Sequence, residues 1–340
     1  MRLTRSKLDG PGIARKRRGK GFAYYGPDGA LLDDPDAEQR IKDLVIPPAW
    51  KHVWISPRPS GHIQAVGVDA AGRKQYLYHE KWQQERAEEK FDRVLELSER
   101  LPQWRAQIFK DLRKRGLVRE RVLALAHQLL DRGYFRAGGE ASAEEFEHYG
   151  LATLLCEHVT LRSTAVVFDF PAKSGVQRYI EIDDPEVVRT VRALVRQDGR
   201  PDRLLVCRGG SGKDWIDLRA DDVNARFKEL VGDEYTIKDL RTWHGTVLAA
   251  AAFAVAKEPT SKTAVKREAS AVMKEVAHEL GNTPAVARQS YVDPRVVDGY
   301  ARGITIASAV KRAGKSDDPD EGQAILEKAT RSLIRRVAKG

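Results

Sequence analysis

Cysteine is nearly absent from this chain. Cys156 and Cys207 are the only two, far apart and without CxxC spacing or paired histidines. A disulfide framework or a zinc site has nothing to build on, and a reducing, cytoplasmic compartment is expected. Long apolar runs are missing too. The longest, Val247 to Ala256, is alanine-rich, too short to span a bilayer, and reads as a buried helix. The N-terminus is polar and basic, so no secretory signal is expected. Carboxylates are not gathered into a cluster suited to two-metal nuclease chemistry. The pairs Asp33-Asp34, Asp183-Asp184, Asp221-Asp222 and Asp317-Asp318 fall mostly at helix starts or in linkers, where they cap. Acid is also in deficit overall: 49 Asp and Glu stand against 59 Lys and Arg, a net charge of +10.

That surplus, with a pI near 9.5, points to a polyanionic partner, nucleic acid ahead of a membrane surface. At 340 residues the chain is long for one core, and two domains are expected. The stretch to about Tyr78 is β-flavoured. Gly21–Tyr25, Val53–Ser56, Ile63–Val68 and Gln75–Tyr78 are strand candidates between glycine- and proline-bearing breaks, with a short helix over Ala37–Leu44. From His79 the pattern turns helical: His79–Arg100, a break at Leu101-Pro102, then Gln103–Lys114, Val118–Asp131, Ser142–His158, Pro185–Gln197, Asp221–Val231, Ile237–Lys257 and Ser261–Leu280. Ser142 and Glu145 have capping-box spacing, and Asp184-Pro185, Thr283-Pro284 and Asp293-Pro294 each set a cap before a helix-starting proline. Thr164–Phe170 and Val176–Ile182 read as a hairpin with Lys173 at its tip, and Leu204–Cys207 as a short strand. Lys311–Gly322 reads as a polar linker before a basic helix at Gln323–Ala338. The expected organisation is α+β: a β-rich N-terminal domain with its connector (1–90), a mostly helical domain (91–310), and a linker with a basic C-terminal helix (311–340).

The residues that carry chemistry are basic and amide side chains strung out toward one tyrosine. They are Arg136 in YFRAGGE, Lys173 in FPAKSG, Arg241 in KDLRTWHGT, Asn282 in LGNTPAV and Tyr291 in RQSY. Such a set suits a phosphate rather than a metal cation: guanidiniums clamp non-bridging oxygens, a lysine donates a proton and a phenol attacks phosphorus. Each has a plainer reading. Tyr291 could be a packed aromatic, with Tyr300 its nearest competitor. Arg241 could pair with Asp239 or Asp233, and Arg136 with Glu140 or Glu144. Lys173 could be a solvated turn residue, although a lysine releases a proton far more readily than an arginine. The basic run from Arg2 to Lys20 fits a solvated arm and a phosphate-tracking surface equally well. Gly209–Lys213 resembles a phosphate loop but has Asp214 where Ser or Thr is required. Along Gly72–Tyr78, strand alternation sets Arg73, Gln75 and Leu77 on one face and Lys74, Tyr76 and Tyr78 on the other. A glutamine there can pair with adenine in a major groove.

Taken together the motifs resemble the type IB DNA topoisomerases, in their compact bacterial and poxvirus form. The resemblance rests on Ile46-Pro-Pro-Ala-Trp50, the Gly67-Val-Asp69 turn and Gly72-Arg-Lys-Gln-Tyr76, followed by the five chemical motifs in the family's order. It implies a C-shaped, two-domain clamp around duplex DNA, with a catalytic domain of the tyrosine recombinase type. Tyr291 would be the nucleophile that forms a 3′-phosphotyrosyl bond, Arg136 and Arg241 the stabilisers of the pentavalent phosphate, and Lys173 the general acid to the 5′ oxygen. Arg73, Lys74, Gln75, Tyr76 and Tyr78 would contact DNA. Supercoils would be relaxed by swivelling, without ATP, metal or other cofactor, by a monomer in the cytoplasm at the nucleoid. Asn282 stands where poxvirus and eukaryotic enzymes have histidine, so it can donate a hydrogen bond but not transfer a proton. Tyrosine recombinases are the main rival, yet their second motif reads HxLRH where this chain has Lys238-Asp-Leu-Arg-Thr242. An architectural DNA-binding protein is the non-enzymatic rival.

Overall fold

The computed structural model describes residues 2–140, 143–144, 147–210, 212 and 214–339, with Ser174 described by its backbone alone. The capping pair Ser142 and Glu145 lies outside the described residues. The chain forms two compact units, Met1–Phe91 and Asp92–Gly340.

The first unit is a five-stranded antiparallel sheet in the order β2-β1-β3-β4-β5, built from β1 (Ile13–Arg18), β2 (Gly21–Tyr25), β3 (Lys51–Ile55), β4 (Ile63–Val68) and β5 (Lys74–Tyr78). Helix α1 (Pro35–Asp43) starts at Asp34, whose carboxylate accepts from the amides of Asp36 and Ala37. The core beneath is small: Ile13, Ile41, Ile46, Val53, Ile55 and Ala65. Part of the basic N-terminal run is therefore not an arm but the strand β1, whose Lys16, Arg17 and Arg18 remain exposed. Arg15 in it donates to the carbonyls of Ile46, Pro47 and Trp50 and so ties down the Pro-Pro-Ala-Trp turn.

The second unit is mostly helical. Helix α2 (Glu80–Leu112), inside which the unit boundary falls, contains Pro102, where the sequence suggested two helices. A proline removes the amide that would bond the carbonyl four residues back. Here that carbonyl, Ser98 O, accepts from Arg331 Nη1 at 3.1 Å, so the helix continues across the defect. Further helices are α3 (Arg119–Arg132), α4 (Pro185–Val195), α5 (Ala220–Val231), α6 (Ile237–Val255), α7 (Lys262–Leu280), α8 (Pro294–Ala301), α9 (Ala307–Ala313) and α10 (Pro319–Ala338). Much of the stretch read as a polar linker, Lys311–Gly322, is thus helical, with Asp318 capping α10. A three-stranded antiparallel sheet carries β6 (Val159–Leu161), β7 (Val166–Ala172) and β8 (Val176–Ile182), and β9 (Val206–Arg208) pairs with β10 (Trp215–Asp217). Gly209 and Gly212 belong to the β9–β10 turn, with Gly209 N–H bonded to Asp214 O at 2.9 Å. The core packs around Trp104, Trp243, Phe168, Phe227 and Phe253.

The helix expected over Ser142–His158 is not continuous. Residues 147–150 are irregular, and only single 3-10 turns follow, at Leu151–Thr153 and Cys156–His158. The backbone there has another task. Leu151 N–H bonds Arg136 O and Ala152 N–H bonds Ala137 O, both at 2.8 Å, which fixes the loop after α3. Gly138 and Gly150 permit this: a Cβ on Gly150 would lie 2.4 Å from Gly138 Cα. The glycines beside Arg136 let two backbones meet.

Candidate active site

Four of the five residues singled out for chemistry gather around the C-terminus of α7. The last carbonyls of a helix lack intrahelical partners and carry the negative end of its dipole. In α7 the chain closes the helix with Gly281 in the left-handed region, and Asn282 N–H bonds Ala277 O at 2.7 Å. The later carbonyls are taken by arginines. Arg241 on α6 donates through Nη2 to Leu280 O and through Nη1 to Tyr134 O. Arg136 donates through Nη2 to Gly281 O at 2.6 Å and also to Asn282 Oδ1. The carboxylates that might have paired with them are engaged elsewhere. Glu140 pairs with Arg203, while Asp239 caps the start of α6 and pairs with Arg93 at 2.8 Å.

Arg241 is only 6% exposed. Burial, reinforced by the charge of Arg136, pushes its guanidinium down to about 10, with Tyr291 acting in the opposite direction. Burial also lowers Arg136. Among the described residues, two buried donors at the site have no hydrogen-bond partner: Arg241 Nε and Asn282 Nδ2. A buried amide N–H without an acceptor is costly unless a ligand supplies one. Asn282 thus has its oxygen fixed by Arg136 and its nitrogen left to donate.

Tyr291 ends a single π-helical turn, Ala287–Tyr291, that follows Pro284–Val286. Such turns often mark functional sites. The Arg241 guanidinium lies 5.5 Å from the centre of the Tyr291 ring. The tyrosine backbone is set by α6: Thr246 Oγ1 donates to Tyr291 O at 3.3 Å and accepts from Asp293 N–H at 3.1 Å. Gly245 allows the close approach, since a Cβ there would come within 2.6 Å of Tyr291 O. The competitor Tyr300 is buried and donates to Lys257 O at 2.6 Å.

Lys173 is exposed in the turn Lys173–Gly175 that joins β7 to β8, and no contact brings it to the other four. In the first unit, Arg73 and Gln75 both bond Asp69 Oδ2, at 3.0 and 2.9 Å. The Arg73 amide first, and then those side-chain bonds, hold the Asp69 carboxyl below its usual range. Lys74, Tyr76 and Tyr78 point outward on β5. The two tyrosines are 38% and 39% exposed, their rings 6.0 Å apart and nearly parallel.

Residues 79–313, which include all five chemical positions, match the family described as eukaryotic DNA topoisomerase I, catalytic core. Residues 21–69 match the bacterial DNA topoisomerase IB N-terminal domain. A DNA topoisomerase 1B of Acanthamoeba polyphaga mimivirus is 30% identical over 288 residues, covering 83% of this chain and 85% of that protein. The chain belongs to the type IB DNA topoisomerase family. More partial likeness is found to DNA topoisomerase 1 of Schizosaccharomyces pombe, 29% identical over 44% of this chain and 19% of that protein. The Candidozyma auris enzyme of the same name is 32% identical over 33% of this chain and 15% of that protein.

In this type IB chain the sequence reading missed Arg178. It lies on β8 opposite Phe170, and cross-strand partners share a face. Phe170 is buried, so the register of the hairpin was the signal that turned Arg178 inward. Arg178 donates to His278 O at 3.0 Å and to Glu279 O at 2.9 Å. Also missed was His244, one turn after Arg241, whose Nε2 lies 2.9 Å from Asp131 Oδ1. Asp131 also meets Arg105, which reaches Glu327 on α10, so a buried ionic chain braces α6 from behind. Among the described residues no helix is long and apolar enough to cross a membrane.

Proposed function

We propose that this chain relaxes supercoiled duplex DNA by cutting and resealing one strand through Tyr291. The Tyr291 oxygen attacks phosphorus and the bond to O5′ breaks, leaving a 3′-phosphotyrosyl bond and a 5′-hydroxyl. The phenol proton leaves to solvent, and Lys173 supplies the proton that O5′ takes up. Arg136, Arg241 and Asn282 hold the two non-bridging oxygens, whose negative charge grows as phosphorus becomes five-coordinate. Rejoining is the same displacement in reverse: the 5′-hydroxyl attacks and the tyrosine leaves. The phosphodiester energy is kept in the covalent bond, so neither ATP nor a metal ion is needed.

One observation carries the reading. Two carboxylate-free guanidiniums, an amide with an unpartnered donor and a tyrosine are gathered at one helix C-terminus. The finer fold reading belongs to the same proposal: a catalytic unit of tyrosine recombinase type that, with the first unit, clamps duplex DNA. Arg73, Lys74, Gln75, Tyr76 and Tyr78 then meet the DNA from the major-groove side. The test is relaxation of negatively supercoiled plasmid in EDTA without ATP, beside Tyr291→Phe. A ladder of topoisomers from the wild type, and from Tyr291→Phe only DNA binding, is the expected result. Relaxation by the Tyr291→Phe protein, or a covalent adduct formed by it, defeats the assignment.

A further inference from the structure

Three guanidiniums, not two, occupy the end of α7. Successive carbonyls from His278 to Gly281 accept from Arg178, Arg178, Arg241 and Arg136 in turn. Among the described residues none of the three arginines is in an ion pair. Arg178, Arg136 and Arg241 also line one cleft with Phe170, Ala172 and Ile180 of the hairpin that carries Lys173. Burial lowers Arg178, the Glu279 carboxylate offsets part of that, and the charge of Arg136 adds to it, while Arg136 and Arg178 both lower Arg241. So much positive charge, held only by neutral carbonyls, exceeds what one phosphodiester balances. The donor count agrees. Arg136, Arg241 and Asn282 already fill the two non-bridging oxygens of the scissile group. Each Nη of Arg178 has given one N–H to the helix, leaving a second on each and the Nε–H.

We infer that Arg178 binds the phosphodiester next to the scissile one on the cleaved strand. This rests on the function proposed above, because it needs the scissile phosphate at Arg136 and Arg241. Arg178 is then a DNA-positioning residue: it sets the register in which the backbone meets Tyr291.

The test uses full-length Tyr291→Phe protein, so that binding is read without cleavage. Equilibrium binding to a duplex oligonucleotide is measured from low to high salt for this protein and for the same protein carrying Arg178→Gln or Arg178→Lys. Glutamine still donates an N–H to the helix carbonyls but lacks the charge. Each phosphate contact contributes about 0.9 to the slope of log K against log salt, so Arg178→Gln is expected to lower the slope by about one. Carried from 1 M down to 0.1 M salt, that is about eightfold weaker binding. Lysine should restore the slope. An unchanged slope in Arg178→Gln overturns the inference, and a lowered melting midpoint with no slope change in either variant would make Arg178 only a helix cap. A slope change in a protein whose wild type relaxes no plasmid supports the phosphate contact while defeating the cleavage reading, so the two fail separately.

Discussion

Replacing Gly245 by alanine tests whether the position of Tyr291 is set from α6. A Cβ at residue 245 would stand 2.6 Å from Tyr291 O and 3.1 Å from both Tyr291 Cβ and Leu280 Cδ1, where ordinary contact begins at 3.4 Å. The first of these is backbone, so it cannot rotate away. The turn that carries Tyr291 must therefore retreat by about 0.8 Å to reach ordinary contact. Overpacking of this kind costs about 1–3 kcal/mol. Alanine recovers up to about 1 kcal/mol of helix propensity over glycine, so the net loss of stability is about 0–2 kcal/mol. The effect on chemistry is larger. A misplacement near 1 Å at a reacting centre costs about 10²-fold in rate. The assay is single-turnover cleavage of a duplex oligonucleotide at saturating protein, scored as covalent adduct on a denaturing gel, with the melting midpoint measured alongside. The expected result is a folded protein that binds DNA normally and forms adduct about 10²-fold more slowly. Adduct formation at the wild-type rate would refute the argument, whatever happened to stability.

Two further outcomes are expected. Asn282→Ala removes the unpartnered donor and the acceptor that holds Arg136, so single-turnover cleavage should fall about 10²-fold; an unchanged rate removes Asn282 from the site. His127, wholly enclosed between Trp104 and Phe227, is pushed down to about 4, chiefly by burial. It stays neutral in the fold while the unfolded chain takes up a proton near 6.5, so its contribution is complete above 6.5 and lost as pH falls toward 4. Between pH 7 and 4.5 the loss is about 2 kcal/mol, to be read from urea midpoints at those two pH values. His127→Leu should flatten that acid-side decline, and an equal decline in the variant would assign it to other groups.

How far the sequence disclosed this site varies by residue. Tyr291, Arg241 and Asn282 were legible because each sits beside a local signal: a Thr-Pro or Asp-Pro cap, a helix start, a glycine helix end. Their gathering was not legible, since it depends on which carbonyls of α7 remain open, a matter of tertiary contact. Arg136 was found beside its glycines, but Gly138 meets Gly150, a contact set by pairing residues far apart in sequence. Strand edges and caps were read closely, with Ile63–Val68 and the caps at Asp34, Asp184 and Asp293 as expected. Pro102 misled for a physical reason: the rule that proline breaks a helix assumes the freed carbonyl finds no other donor, and Arg331 is one. Strand β1 was hidden because five of its six residues, Ala14 to Arg18, lie on or near the surface and four are basic.

The use of a helix end to hold the arginines has an energetic logic. Had carboxylates held Arg136 and Arg241, as the sequence allowed, the site would be neutral, and DNA would have to break two ion pairs to enter. Carbonyls fix the geometry without cancelling the charge, and the dipole of α7 offsets part of the repulsion among the guanidiniums. Burial first, and after it the repulsion that remains, lower Arg241. A group titrating near 10 is still protonated at pH 7 in all but about one molecule in a thousand. On the proposed function the full charge therefore awaits the phosphate, already oriented, and little reorganisation is left for the moment of reaction. On this argument, inserting an acid beside the cluster should damage cleavage more than removing one arginine's neighbour. Gln177→Glu, on the outward side of β8, should be harmless, and Ile180→Glu, which lines the cleft with Arg136 and Arg241, should abolish adduct formation while Tyr291 stays in place.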